Sequence, residues 1–193
     1  MNRRLGLSIA TIGILAALAA VAVAQEKAKP IASFRAFGVN QGRTTANAGV
    51  VQITITRWST DEEREKLIST LKEKGSDALL NTLTSLKPVG FIKMPNTLGW
   101  DLYYAREQDN PDGGRSIYLA SNRRLAFGEV KHQSRSSQYA FTLVEMHLDK
   151  DGKGEGKLSG AAKVEFNSKT HQLDIENYSA LPTDLKNITT EKP

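Results

Sequence analysis

From residue 89 to residue 178 the chain repeats one pattern: a run of apolar, aromatic and β-branched residues, then a short polar turn. The runs near 89–94, 99–106, 115–121, 124–131, 138–148, 157–167 and 171–178 read as strands, because such side chains suit a pleated, half-buried surface. Asp109-Asn110-Pro111-Asp112-Gly113-Gly114, Ser121-Asn122, Asp149-Lys150-Asp151-Gly152-Lys153-Gly154 and Ser168-Lys169-Thr170 supply the turns. Strands joined this closely pair antiparallel, since a parallel neighbour needs a long crossover. A long series of them curls into a barrel or splits into a sandwich. The tail from Leu181 to Pro193 reads as a brief helical turn with frayed last residues.

The N-terminal half adds a short strand over 33–39 and a clearer one over 50–58. In the latter Val51, Ile53 and Ile55 share one face and Gln52, Thr54 and Thr56 the other. A face of each polarity means a sheet covered on one side. The period then turns helical. Thr60-Asp61-Glu62-Glu63 forms a capping box, in which the threonine hydroxyl accepts from the Glu63 amide and the Glu63 carboxylate reaches back. Leu67, Ile68 and Leu71 make an apolar stripe, Lys72 and Lys74 complement the last turn, and Gly75 supplies a left-handed stop. Ser76 and Asp77 open a second helix bearing Leu79, Leu80, Leu83 and Leu86, ended by Pro88. The expected fold is α+β: a mainly antiparallel, strongly curved sheet or partial β-barrel with a two-helix insertion at about residues 60–87 packed against it.

Residues 1–24 read as a cleavable signal peptide. Arg3 and Arg4 supply the positive start, an uncharged apolar run follows to Val21, and Ala22-Val23-Ala24 offers the small-x-small pattern of a cleavage site. The expected mature chain, 25–193, is one mostly-β globular domain, periplasmic or secreted, with no membrane span left. Removing Arg3 and Arg4 from 26 basic residues leaves 24 against 21 acidic ones, a net +3. That charge is mild and spread along the chain, so the composition argues against nucleic acid as a partner. With no cysteine, disulfides, thiolate zinc sites, a cysteine nucleophile and a lipid-modified cysteine are all excluded.

Catalytic and metal constellations are sparse. Asp149-x-Asp151-Gly152 resembles the opening of a calcium loop, but Lys153 and Gly160 stand where loop positions five and twelve need oxygen donors. Glu145 and His147 share a strand face at i, i+2, with no His-x-His or His-Glu-x-x-His motif beside them. No Gly-x-Ser-x-Gly elbow occurs. No catalytic residue, metal ligand or cofactor is expected.

Two surfaces carry the binding expectations. Arg115, Arg123, Arg124, Lys131 and Arg135 form a basic stretch suited to an anionic envelope component. Trp100, Tyr104, Phe127, Tyr139 and Phe141 are candidates to line a cavity for a small apolar ligand within the curved sheet. The first functional expectation is thus an exported, non-enzymatic module that binds an apolar ligand or an envelope partner. The alternative is a hydrolase using carboxylates from separate strands, among Asp101, Glu107, Glu129 and Glu145.

The order of strand, two helices and long antiparallel meander is similar in outline to the helix-grip fold of START and Bet v 1-like lipid-binding proteins. In that family a long C-terminal helix lies along the sheet and closes an apolar cavity. Here the stretch after Tyr178 holds Pro182 and few apolar residues, and a strand is added at the N-terminus. The likeness is one of element order, with no motif behind it.

Overall fold

Val51, Ile53 and Ile55 are buried while Gln52 and Thr54 are half-exposed, so the alternation that marks a one-sided strand sets the inside and outside of the whole sheet. The computed structural model describes residues 29–39, 48–94, 97–125, 139–177 and 181–192. In chain order the elements are β1 (Ala32–Val39), β2 (Ala48–Ile55), α1 (Asp61–Ser85), β3 (Gly90–Lys93), β4 (Trp100–Leu102), β5 (Tyr104–Asp109), β6 (Arg115–Ser121), β7 (Phe141–Leu148), β8 (Lys153–Asn167), β9 (Gln172–Asn177) and β10 (Thr183–Glu191).

Every strand pair is antiparallel. The sheet order is β4-β3-β2-β1-β10-β8-β7-β6-β5, with β9 paired to β8 off this path. Its two ends, β4 and β5, are one strand bent at Tyr103, so the sheet returns on itself as a nearly closed barrel. The Tyr103 amide donates to the Ala120 carbonyl (2.9 Å), stitching the bend to β6. Closure leaves few unpaired strand edges.

The barrel interior is filled by side chains. Phe34, Ile53, Ile92, Leu102, Ile117, Met146, Leu158, Leu185 and Ile188 are all essentially inaccessible and belong to one cluster. Each contributes about 1.5–3 kcal/mol relative to exposure. Among the described residues these side chains take up the space that the curved sheet encloses.

A second cluster lies on the barrel's outer face. Leu67, Leu71, Leu79 and Leu83 of α1 pack with Phe141, Ala162 and Val164 of β7 and β8. The expected two-helix insertion is instead this single kinked element. Gly75 takes φ 79°, ψ −171°, a positive-φ extended conformation open to glycine and not the expected left-handed helical stop, and helix resumes immediately beyond it. One residue absorbs the kink because both halves must press leucines onto the same sheet face. Lys72 and Lys74 therefore fall mid-element rather than in a last turn. Thr60 caps α1 with the expected box, its hydroxyl accepting from Glu63 N (3.2 Å) while the Glu63 carboxylate accepts from Thr60 N (3.0 Å).

The C-terminal tail is also not a helical turn. β10 lies between β1 and β8, in the middle of the sheet order. A strand thus occupies the place where the helix-grip outline puts its closing helix, and the barrel is completed from within the sheet.

Candidate functional site

Because strand side chains alternate, four neighbouring strands present a second, outward face made of cross-strand rows. One row runs Tyr104–Ala120–Leu143–Ser159 across β5, β6, β7 and β8. The next runs Arg106–Tyr118–Glu145–Lys157 and ends opposite Asp184 on β10. The first row is mostly apolar and the second mostly charged, so the face grades from greasy to polar over one strand repeat.

α1 and the β8–β9 hairpin wall this face into a groove. β8 continues well beyond its pairing with β10, and β9 folds back along that extension. Val164 on β8 and Leu173 and Ile175 on β9 line the groove, the latter two staying half-exposed. The main groove encloses about 920 Å³ and includes Arg64, Tyr104, Arg106, Tyr118, Leu143, Glu145, Lys157, Ser159 and Pro182 in its lining. A narrower apolar cleft of about 220 Å³ runs on beneath α1, between Leu67, Ile68, Leu71, Leu79, Leu83 and Phe141. Arg64, Tyr104, Ala120, Leu143, Val164 and Leu173 border both, so the two spaces are continuous. Lys72 sits over the Phe166 ring at 4.9 Å, which helps hold the hairpin to the helix.

Charge in the groove is arranged at one end. Arg106 donates to Asp61 at 2.6 Å, and this contact holds the Asp61 carboxyl below its ordinary range. Burial pushes the Tyr104 hydroxyl up, against the opposing pull of Arg106 and Arg64. Glu107 is ion-paired with Arg115 (2.9 Å), and Glu145 lies 3.1 Å from His147 Nε2.

Of the expected cavity residues, Tyr104 and Phe141 line this outer groove. Trp100 packs against the barrel-interior cluster instead. Tyr139 donates its hydroxyl to Glu176 at 2.5 Å, which pushes that hydroxyl's pKa up. Phe127 lies outside the described residues. Of the basic stretch, Lys131 and Arg135 also lie outside them. Arg115 begins β6 and Arg123 and Arg124 follow its end, a separation of roughly 20 Å at strand rise. Arg124 is turned to the Tyr139 carbonyl (2.6 Å). The α1 leucines were legible only as an apolar helix stripe, and nothing in the sequence singled out Leu143 or Leu173. Their lining role depends on the β8–β9 hairpin standing off the barrel, which no local pattern encodes.

Ser116, His147 and Glu145 form a chain that sequence reading did not find. Ser116 Oγ is 3.0 Å from His147 Nδ1, and His147 Nε2 is 3.1 Å from Glu145. The order resembles a nucleophile, base and orienting acid. However, Ser116 is only 4% exposed and its hydroxyl also contacts Asn110 Oδ1 at 3.0 Å. A buried, doubly engaged hydroxyl serves the sheet and is closed to substrate. Of the hydrolase carboxylates, Asp101 is exposed on β4, Glu107 and Glu145 are each held by a cationic side chain or imidazole, and Glu129 lies outside the described residues. Asp149 Oδ1 accepts from the amides of Asp151 and Lys153, both at 2.9 Å, so this calcium-like stretch is a self-satisfied hairpin turn. Among the described residues no cluster of three His, Cys, Asp or Glu side chains is placed to hold a metal. Nor, among them, is any helix long and apolar enough to cross a membrane.

Comparison of the chain with protein-family models, curated proteins and solved structures returns no significant match.

Proposed function

We propose that this chain is an exported, non-enzymatic binding module that carries a small, largely apolar ligand in the groove between α1, the outer barrel face and the β8–β9 hairpin. One observation carries the reading: a groove of about 920 Å³ opening into an apolar cleft, on the outer face of a barrel whose interior holds a separate cluster of buried side chains. That volume lies within the range of small-molecule sites, which are mostly apolar with a few placed polar groups. Each ligand methylene buried there gains about 0.8 kcal/mol.

The leader at residues 1–24 supports export to the periplasm or beyond the cell. The groove favours the small ligand over the envelope partner, because among the described residues of the basic stretch Arg115 stands a strand's length from Arg123 and Arg124.

Ala120 offers a test, since it sits on the groove floor, outside the barrel-interior cluster and at the margin of the α1 leucine cluster. Native mass spectrometry of protein purified from its own compartment is expected to show a small ligand on the wild type and none on Ala120→Trp, with a cooperative melting transition kept by both. Wild-type protein that is ligand-free, or a ligand retained by Ala120→Trp, contradicts the reading. N-terminal sequencing of the same preparation is expected to begin at Gln25.

A further inference from the structure

We infer that the groove selects a single-chain amphiphile with an anionic head, the head held by Arg64 and Lys157 and the chain lying in the cleft beneath α1. This rests on the groove being the ligand site. The groove lining contains two carboxylates, and each is engaged: Glu107 by Arg115 at 2.9 Å and Glu145 by His147 at 3.1 Å. Arg106 is engaged as well, by Asp61 at 2.6 Å. Arg64 and Lys157 remain, and among the described residues neither forms an ion pair.

Their placement gives the head a fixed end. Lys157 stands in the charged cross-strand row, one repeat from Ser159 and Leu143 in the apolar row. Arg64 projects from α1 and borders both the groove and the cleft, one turn before Leu67 and Ile68. Arg64 reaches the Tyr104 hydroxyl and Lys157 stands in register with Glu145 and Asp184, and an anionic head adds a charge-assisted contact to whichever of the two cations it meets. A cationic or neutral head gains none. The cleft's 220 Å³ falls below the volume that encloses a whole drug-sized molecule, so it takes one hydrocarbon chain.

The test uses probes with one tail and different heads: dodecanoate, dodecanol and dodecyltrimethylammonium, titrated calorimetrically below their aggregation limits. Wild-type protein is expected to bind dodecanoate about tenfold more tightly than dodecanol, the scale of a charge-assisted contact, and the ammonium probe most weakly. In the double variant Arg64→Gln, Lys157→Gln the preference for dodecanoate is expected to vanish, with dodecanol affinity and melting temperature unchanged. Lys150→Gln, away from the groove lining, is expected to keep the preference. Equal binding of dodecanoate and dodecanol by the wild type, or a preference that survives the double variant, overturns the inference and leaves the groove reading standing. Binding of none of the probes overturns both.

Discussion

Arg57 meets Glu63 side by side: Nη1 to Oε2 and Nη2 to Oε1 each span 2.9 Å. The same guanidinium donates to the Lys87 carbonyl at 2.8 Å, so one side chain beyond β2 ties down both the entry and the exit of α1. Glu63 completes the Thr60 capping box with the same carboxylate. The pair is largely shielded from water, so its contacts are worth more than a surface ion pair. Glu63→Gln is expected to lower stability by about 1–2 kcal/mol in urea unfolding. It is also expected to speed amide exchange along α1. An unchanged midpoint contradicts this.

The same contact sets a pH dependence. The hydrogen bond from Arg57, and to a lesser degree the Thr60 amide, hold the Glu63 carboxyl below its ordinary value. A carboxyl depressed in the folded state stabilises the fold fully above the unfolded value of about 4.3, and this contribution fades as pH falls through the folded value. The stability gap between wild type and Glu63→Gln is therefore expected to be constant above about pH 5.5 and to shrink below about pH 4. A gap of equal size at pH 3, measured by urea unfolding, contradicts it.

β10 is expected to be indispensable. Leu185 and Ile188 are fully buried, and the strand joins β1 to β8. Ile188→Ala is expected to cost about 2–5 kcal/mol. A chain ending at Pro182 is expected to lose its cooperative thermal transition by circular dichroism.

That strand also shows why part of the fold escapes sequence reading. β2 announces itself through Val51, Ile53 and Ile55, and the Thr60–Glu63 box marks the helix start residue by residue. In β10 the buried pair Leu185 and Ile188 are three apart, a helical spacing. The structure resolves this with a bulge: pairing to β8 shifts register between Leu185 and Ile188, and Asn187 takes φ 51°. The extra residue breaks the alternation that would have marked a strand. Gly75 misleads in the opposite direction, since a glycine just after the Leu67–Leu71 stripe reads as a helix end and only the sheet beneath α1 makes it a kink. The groove was least legible. Tyr104 and Phe141 read as cavity candidates, but which side of the sheet the cavity occupies follows from barrel closure, a long-range property.

Gly154 marks a place where backbone approach excludes any side chain. A Cβ there would lie 1.8 Å from the His147 carbonyl oxygen across the β7–β8 pair. Gly154→Ala is expected to destabilise by about 3 kcal/mol through forced separation of the strands. Weakened protection of β7 and β8 amides in hydrogen exchange would accompany the loss.

Methyl NMR during a dodecanoate titration tests most directly whether ligand occupies the outer groove. Shifts are expected to concentrate at Leu67, Ile68, Leu71, Leu143, Val164, Leu173 and Ile175, with Ile53, Ile117 and Leu185 in the barrel interior unmoved. Shifts centred on those interior methyls, or no saturable shift at any methyl, would contradict occupancy of the groove.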